Sequence, residues 1–505
     1  MAATVVLNLD PTAGDPARPL YRRLYDQLRQ MILDGRLAAG TRLPASRTLA
    51  AEMGLSRNTV TLAFEQLVAE GYLSARQGAG TFVSSALPDS ERPLAAERGG
   101  GPARRQPALS RRGLALATIA RPRSRDTVPF AAGQPELEAF PFGLWSRLLA
   151  RTWRQPSARL ATLGEPGGYA PLRQAIADYL GAARGVRCTP AQVIVVSGAQ
   201  QAIHLTAQVL LDPDDAVLVE EPGYAGVRGA LAAAGARPVP VPVDEHGLDI
   251  AHGTRLAPAA RMVCVAPSHQ HPLGVVMSLP RRLETLDWAE AHDAWVLEDD
   301  YDSEYRYAGR PLAALQGLDR GERVIYVGSF SKVMFPTLRL GYLVVPEPLV
   351  APVQAARAVV DDHASMLAQP ALAQFIADGH FASHLRRMRA LYAGRQQALL
   401  TAAGRELDGL LSLSPDEAGM HLLATLAPPL ARHLDDRAAA ACAAAAGIVT
   451  APLSAFYAGP PQRQGLLLGY AGFDAAALAA ATARLARALA AAVPEAPTRR
   501  SSASR

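Results

Sequence analysis

Lysine is all but missing from this 505-residue chain. Of its 51 basic residues, Lys332 is the one lysine and every other is arginine. A guanidinium stays protonated and cannot act as an amine nucleophile, so capture of a carbonyl compound by a side-chain amine is excluded everywhere except position 332. A coding bias that trades lysine for arginine accounts for the scarcity but not for the survivor. Cysteine is scarce too. Cys188, Cys264 and Cys442 stand far apart with no CxxC or Cys/His spacing, which excludes the common zinc sites, points to no metal, and reads as buried thiols. No apolar run reaches the ~20 residues that cross a bilayer, and the first residues lack a basic-then-apolar signal pattern. The expectation is a cytoplasmic protein without membrane contact. The net charge of +5, from 51 basic and 46 acidic residues, is only a weak pointer to an acidic partner, so the location of the charge carries more information.

What is present is a globular composition, 49% apolar and 19% charged, in a chain long enough for a small module and a large one. Residues 1–84 read as three helices and a hairpin. Leu20, Leu24, Leu28, Met31 and Ile32 recur at helical spacing, and Gly35 and Gly40 punctuate the end. A second helix spans Arg47 to Met53 with Ser46 as N-cap, and a third runs from Ser56 to about Glu70 with Val60, Phe64 and Leu67 inward. Gly54 turns between them, and Gln77–Val83 supplies a glycine-bearing turn between two short strands. From Ser84 to Arg125 periodicity stops, and nine arginines face three acids, so residues 85–125 read as a flexible Arg/Gly/Pro linker. Residues 126–490 alternate helical stretches with β-branched runs at 193–196, 216–219, 262–265, 295–297 and 324–327. That alternation implies a largely parallel sheet covered on both faces, with a smaller helical subdomain from about residue 370. Residues 491–505 read as a disordered tail.

Helix, turn, helix and hairpin is the geometry that lays one helix in a DNA major groove with a wing beside it. The third helix opens on Ser56, Arg57, Asn58 and Thr59, all able to bond phosphates or base edges, and Arg47 is placed to clamp the backbone. Gly78 and Gly80 of the wing would let main-chain amides approach a phosphate. The same pattern also suits a small fold in which Arg57 is a solvated charge.

Around the lysine the sequence reads VGSFSKVMFPTLRLGY, residues 327–342. A strand ends, Ser329 and Ser331 flank Lys332, and Arg339 follows in a glycine-bearing turn, which are the parts for a Schiff base beside a dianionic phosphate. WVLEDDY at 295–301 ends another strand in acids. Asp299 is the choice to pair with a protonated ring nitrogen, with Tyr301 positioned for a phenolic oxygen. SGAQQ at 197–201 places Gly198, Ala199 and Gln200 at a helix start, a cradle for phosphate, and Tyr224 could stack on an aromatic ring. Ligands bind at such strand ends in open α/β sheets.

The runs PLYRRL at 19–24, GTRLPASRTLA at 40–50, LSRNTV at 55–60 and GAGTFV at 78–83 together resemble the winged-helix domain of the GntR regulators. The resemblance implies that Arg47, Arg57, Thr59 and Gly80 touch double-stranded promoter DNA. PSHQHPLG at 267–274, EDDYDSEY at 298–305 and the lysine run are similar to fold-type-I aminotransferases and, joined to the first module, to MocR-type regulators. The implied fold is multidomain: an N-terminal winged helix-turn-helix (α+β) plus an α/β aminotransferase-like domain that binds pyridoxal 5'-phosphate. His271 joins the implied cofactor contacts, and the implied assembly is a homodimer. Two departures stand out. Leu467, in GLLLGY at 465–470, occupies the position of the arginine that holds a substrate carboxylate, with Arg463 the nearest replacement. Leu163, in LGEP, stands where a tyrosine usually reaches the partner's phosphate. Two functions follow: a regulator whose promoter binding is controlled by pyridoxal phosphate or an amino compound, or a working aminotransferase with an accessory DNA-binding domain.

Overall fold

The computed structural model describes residues 18–76, 79–85, 109–119, 128–154, 160, 162, 164–308 and 312–492. The chain forms two compact units that divide near residue 107.

In the first unit, the helix Leu20–Leu33 buries Leu24, Leu28, Met31 and Ile32 and leaves Leu20 exposed. The second helix, Ser46–Met53, begins one residue earlier than expected. Ala45 occupies the cap and no side chain caps it, so Ser46 is not the N-cap. Gly54 then takes a left-handed φ of 65°, which reverses the chain without Cβ strain. Helix Arg57–Ala69 is capped by the Ser56 hydroxyl, which accepts from the Thr59 N–H at 3.1 Å. Val60, Phe64 and Leu67 close a core with Leu24, Leu28 and Leu49. Strands β1 (Leu73–Arg76) and β2 (Gly80–Val83) form the antiparallel hairpin, which Arg42 joins by a bridge to Phe82.

The stretch expected to be a structureless linker contains a helix, Arg111–Ile119, that packs against the helix Ala225–Ala234 of the larger unit. Arginine, leucine and alanine there favour helix, and the Gly/Pro-rich sequence on either side masks that preference. Linker residues 86–108 and 120–125, and the tail from 493, lie outside the described residues.

The larger unit is built on an eight-stranded sheet of order β3-β10-β9-β8-β7-β4-β5-β6. Its strands are β3 (Val193–Val196), β4 (Ala216–Glu221), β5 (Arg237–Asp244), β6 (Gly247–Leu248), β7 (Met262–Val265), β8 (Trp295–Asp300), β9 (Val324–Ser329) and β10 (Gly341–Val344). All five expected strands form, and β4, β5, β7, β8 and β9 run parallel. β10 runs antiparallel between β3 and β9. Successive side chains go to opposite faces. Val217, Val219 and Leu297 pack with Ile203 and Leu231 of the helices on one side, while Leu218, Val263 and Val296 pack with Trp288 and Ala289 on the other. Both faces are therefore dry, and the loops after the strands carry the polar chemistry.

After this sheet, helices Gln369–Ala377, His380–Glu406 and Ala475–Ala490 accompany a four-stranded antiparallel sheet. Its strands, in spatial order, are β11 (Leu411–Leu413), β12 (His421–Leu426), β14 (Gly465–Gly469) and β13 (Ala451–Pro452). Of the cysteines expected to be buried, only Cys264, on β7, is fully so; Cys188, in the irregular connection before β3, and Cys442, on the helix Asp436–Ala445, are half-buried because neither lies within the large sheet. No helix among the described residues is long and apolar enough to cross a membrane.

Arg184 and Asp300 form a buried ion pair at 2.8 Å, and Arg184 also donates to Ser268. Removing one member strands the other charge, at a cost of about 3–5 kcal/mol. Arg184→Ala should lower the stability of the larger unit by that amount in urea unfolding followed by tryptophan fluorescence. The probe is selective, because all four tryptophans, at 145, 153, 288 and 295, lie in that unit.

Candidate functional site

Strands β3, β8 and β9 end at one edge of the large sheet, and the polar residues of the lysine region gather there. β9 passes directly into the short helix Phe330–Val333, whose cap is Ser329: its hydroxyl accepts from the Ser331 N–H at 3.2 Å. Lys332 lies in that turn, and its Nζ donates to the Gly133 carbonyl at 2.8 Å. Gly133 is indispensable to this contact. It holds φ at +74°, and a Cβ on it would stand 2.4 Å from Nζ. Sequence reasoning missed Gly133, although its glycine in the segment just after Phe130 was a signal of close backbone approach.

Among the described residues, the buried Ser331 hydroxyl has no hydrogen-bond partner, and neither does the buried Gln200 side-chain nitrogen. Gly198 caps the helix Ala199–Leu210 with φ +126°. The side where its Cβ would lie faces the Arg339 guanidinium, the nearest atom being 3.5 Å from that point. Arg339 itself takes a left-handed φ of 52°. The first N–H groups of a helix have no partner within it. A helix start, a guanidinium and an unsatisfied hydroxyl form an anion cradle, and the residues present fit a phosphate.

The acids on and after β8 separate by strand alternation. Glu298 accepts from the Leu315 and Gln316 amides at 2.8 Å. Asp300 is paired with Arg184 and accepts from the Tyr326 hydroxyl. Asp302 pairs with His269. Asp299, on the opposite face from Glu298 and Asp300, has no hydrogen-bonding or cationic partner among the described residues. Burial, and then the charges of Asp300 and Asp302, push its carboxyl up to about 7. A cationic ring nitrogen beside it would reverse that penalty.

Tyr224 caps the helix Ala225–Ala234 and lies edge-on to His271, with ring centroids 6.1 Å apart. Gly226 makes room for it, since a Cβ there would stand 2.4 Å from both the Tyr224 ring and the Gln200 amide nitrogen. His271 also contacts the Tyr301, His421 and Phe456 rings at 5.8, 5.3 and 5.1 Å. Burial, then His421 and Lys332, hold its imidazole well below the ordinary range, so it is neutral. The Tyr301 hydroxyl lies 2.9 Å from Nδ1 of His269, a residue that the sequence reading passed over although it stands in the same motif as His271. Leu467 is fully buried with Leu453 and Tyr457, and Phe456 packs against that cluster, so the wall beyond His271 is apolar. Arg463 is exposed, beside Tyr457. Leu163 lies outside the described residues.

In the first unit, Arg47, Arg57 and Asn58 are exposed. Thr59 is half-buried with its hydroxyl 2.8 Å from that of Ser56, so both hydroxyls are engaged in the cap. Gly80, at φ +112°, carries Arg42 against it, with Nε 3.0 Å from the Cβ position. Arg42 is a cation at the wing that sequence reasoning did not single out. Gly78 lies outside the described residues.

Comparison with known proteins agrees with this division. Residues 20–83 match the family of bacterial regulatory proteins, gntR family, and residues 127–485 match aminotransferase class I and II. The chain is 45% identical to the probable rhizopine catabolism regulatory protein MocR of Rhizobium meliloti, over 90% of this chain and 91% of that protein. It is 36% identical to the HTH-type transcriptional regulator TauR of Rhodobacter capsulatus, over 93% and 96%. Among solved structures it is similar to LysN, an α-aminoadipate aminotransferase from Thermus thermophilus, with 30% identity, a TM-score of 0.65, and coverage of 72% of this chain and 92% of that one.

Gly133→Ala should dislodge the Lys332 ammonium from its carbonyl. A charge-assisted hydrogen bond of about 1.5 kcal/mol would be lost, so labelling of the one lysine by a small amine-directed reagent should accelerate about tenfold at fixed pH. Peptide mass spectrometry reads the rate, and an unchanged rate would contradict the contact.

Proposed function

Because the chain belongs to the MocR-type regulators, in which a gntR-family module precedes an aminotransferase class I and II domain, we propose that it is a cytoplasmic transcription regulator whose binding to double-stranded promoter DNA is governed by pyridoxal 5'-phosphate held on Lys332. One observation supports this reading above the others: the only side-chain amine of the chain lies at the sheet edge that also carries an anion cradle and an unpartnered carboxylate. When bound, the group supplies an aldehyde that condenses with amines and an electron-poor ring that stabilises the product.

The chain's own residues divide the work. Lys332 provides the amine, and the Gly133 carbonyl orients it. Ser329, Ser331 and Arg339, with the Gly198, Ala199 and Gln200 amides, hold the phosphate dianion. Asp299 keeps the ring nitrogen protonated, because its ionised form is costly without a cation. Tyr224 would cover the ring of the bound group, and Tyr301 and the neutral His271, whose rings lie 5.8 Å apart, would contact its oxygen. Leu467 supplies no guanidinium for a carboxylate, and Arg228, which donates to the Phe456 carbonyl at 3.0 Å, is paired with Glu221; this favours pyridoxal phosphate itself, or an amine without a carboxylate, as the effector. Arg47, Arg57, Asn58 and Gly80 form the DNA face. The working unit is a homodimer, so that two recognition helices meet two half-sites.

Two experiments follow. Reducing the pyridoxal-phosphate-treated protein with borohydride should fix one adduct on the peptide containing Lys332, and Lys332→Ala should carry none. Arg57→Ala should weaken specific promoter binding by about 1–3 kcal/mol at fixed salt if the residue reads a base. A loss that is equal on unrelated DNA would assign it to the phosphates instead.

A further inference from the structure

His269 is a buried titratable group of the larger unit that the cofactor reading leaves without a role, and both of its ring nitrogens face carboxylates. Its Nδ1 stands 3.1 Å from both oxygens of Asp302, and its Nε2 stands 3.2 Å from Asp416. The imidazole and Asp302 are almost wholly buried, each 1% exposed. The cavity is built to shape. A Cβ on Gly419 would fall 2.2 Å from the ring, and one on Gly274 would fall 2.4 Å from the Asp416 carboxylate. The two carboxylates come from distant parts of the chain: Asp302 follows β8, and Asp416 belongs to the loop before β12. That loop is itself stitched down. The Gly419 N–H donates to the Tyr305 carbonyl at 3.0 Å, and the Tyr307 N–H donates to the Glu417 carbonyl at 2.7 Å.

The geometry decides the protonation of the ring. A bare nitrogen lone pair 3.1 Å from an anionic oxygen is repelled, so each ring nitrogen that faces a carboxylate carries a proton. His269 is therefore an imidazolium. Burial opposes the charge, but Asp302 and Asp416 outweigh it and raise the group to about 10. The neighbouring groups respond in kind. Burial opposes ionisation of Asp416, yet the hydrogen bond from His269 holds it below the usual carboxylate range. Burial, then the His269 charge, lower His421 to about 4, its ring being 5.9 Å away. With both nitrogens protonated, His269 has no lone pair left for Tyr301, whose hydroxyl oxygen is 2.9 Å from Nδ1. That oxygen can only accept, and its own proton must point elsewhere.

We propose that His269 is a positioning residue: clamped between Asp302 and Asp416, it turns the Tyr301 O–H away from itself and toward the pocket it shares with His271, where the hydroxyl donates to the ring oxygen of the bound cofactor. The role rests on the cofactor reading above. It also means that the loop carrying Asp416 and the hydroxyl facing the ligand are set by one ring.

The test is a pH titration of the visible absorption of the pyridoxal-phosphate-loaded, full-length protein and four variants: Tyr301→Phe, His269→Gln, Asp416→Asn, and His269→Gln with Tyr301→Phe. A donor on the ring oxygen stabilises its negative charge and so lowers the pH at which the adjoining nitrogen gives up its proton. Tyr301→Phe should move the absorption midpoint up by about one pH unit. His269→Gln, whose amide oxygen can recapture the hydroxyl proton, should move it the same way. Asp416→Asn, which keeps the hydrogen-bonding shape and perturbs the fold least, should move it by a smaller amount. The double variant should match Tyr301→Phe alone, because the imidazole acts only through the phenol. If His269→Gln and Asp416→Asn lower the melting temperature but leave the midpoint in place, or if the shifts add, His269 is structural and the proposal is overturned. A wild-type protein that acquires no visible band overturns the cofactor reading instead. The clamp is then read directly by nitrogen NMR of the histidine rings: a cationic imidazole signal at about pH 9, below the raised value of His269, that disappears in His269→Gln upholds it, and a neutral ring at that position refutes it.

Discussion

The contact between Lys332 Nζ and the Gly133 carbonyl fixes where the one side-chain amine stands in the larger unit. A lysine has four rotatable bonds and ordinarily samples them in water. Here its end is held against a backbone that has no Cβ and adopts a φ open mainly to glycine. The amine is thereby kept at the edge where β3, β8 and β9 stop. The Gly198 turn and Arg339 lie at the same edge because β10 runs between β3 and β9, placing Gly341 opposite both Val196 and Ser329. One chain reversal thus brings an amine, a helix start and a guanidinium together.

Electrostatic sorting does the rest. Three acids run consecutively along β8, and two more follow it closely at Asp302 and Glu304; burying them without partners would be prohibitive. Alternation sends Glu298 and Asp300 to one face, where two backbone amides hold Glu298 and Arg184 pairs with Asp300. Asp302 is neutralised by His269. Asp299 alone is left on the opposite face, where burial and its acidic neighbours raise its affinity for a proton, as suits a carboxylate proposed to meet a cation.

Much of this was legible in the residues. The lone lysine, the serines beside it and the strand-ending acids mark the sheet edge because parallel strands buried on both faces leave their chemistry to the turns that follow them. Asp299 could be chosen over its neighbours, but the reason is visible only in the partners of those neighbours. Other features were hidden by their distance in sequence. Gly133 lies 199 residues from the lysine it orients, and Asp416 lies 147 from His269, so no local pattern joins them. The Ser46 cap failed because a serine fits the first turn of a helix as well as its cap. The helix Arg111–Ile119 escaped because its helix-forming residues are embedded in Gly/Pro/Arg sequence. In the first unit the helices, their glycine turns and the Ser56 cap follow directly from spacing, whereas Arg42 gained its place at the wing only through the hairpin's tertiary pairing.

The central claim is that one amine couples a small molecule to a grip on DNA. Its most direct measurement is a single titration of the cofactor-free protein with pyridoxal phosphate, following visible absorbance and affinity for its promoter DNA in the same samples. The account predicts a band that saturates at one equivalent per chain and a change in DNA affinity over the same concentration range. A colourless protein, or an affinity that stays constant while the band saturates, would contradict it.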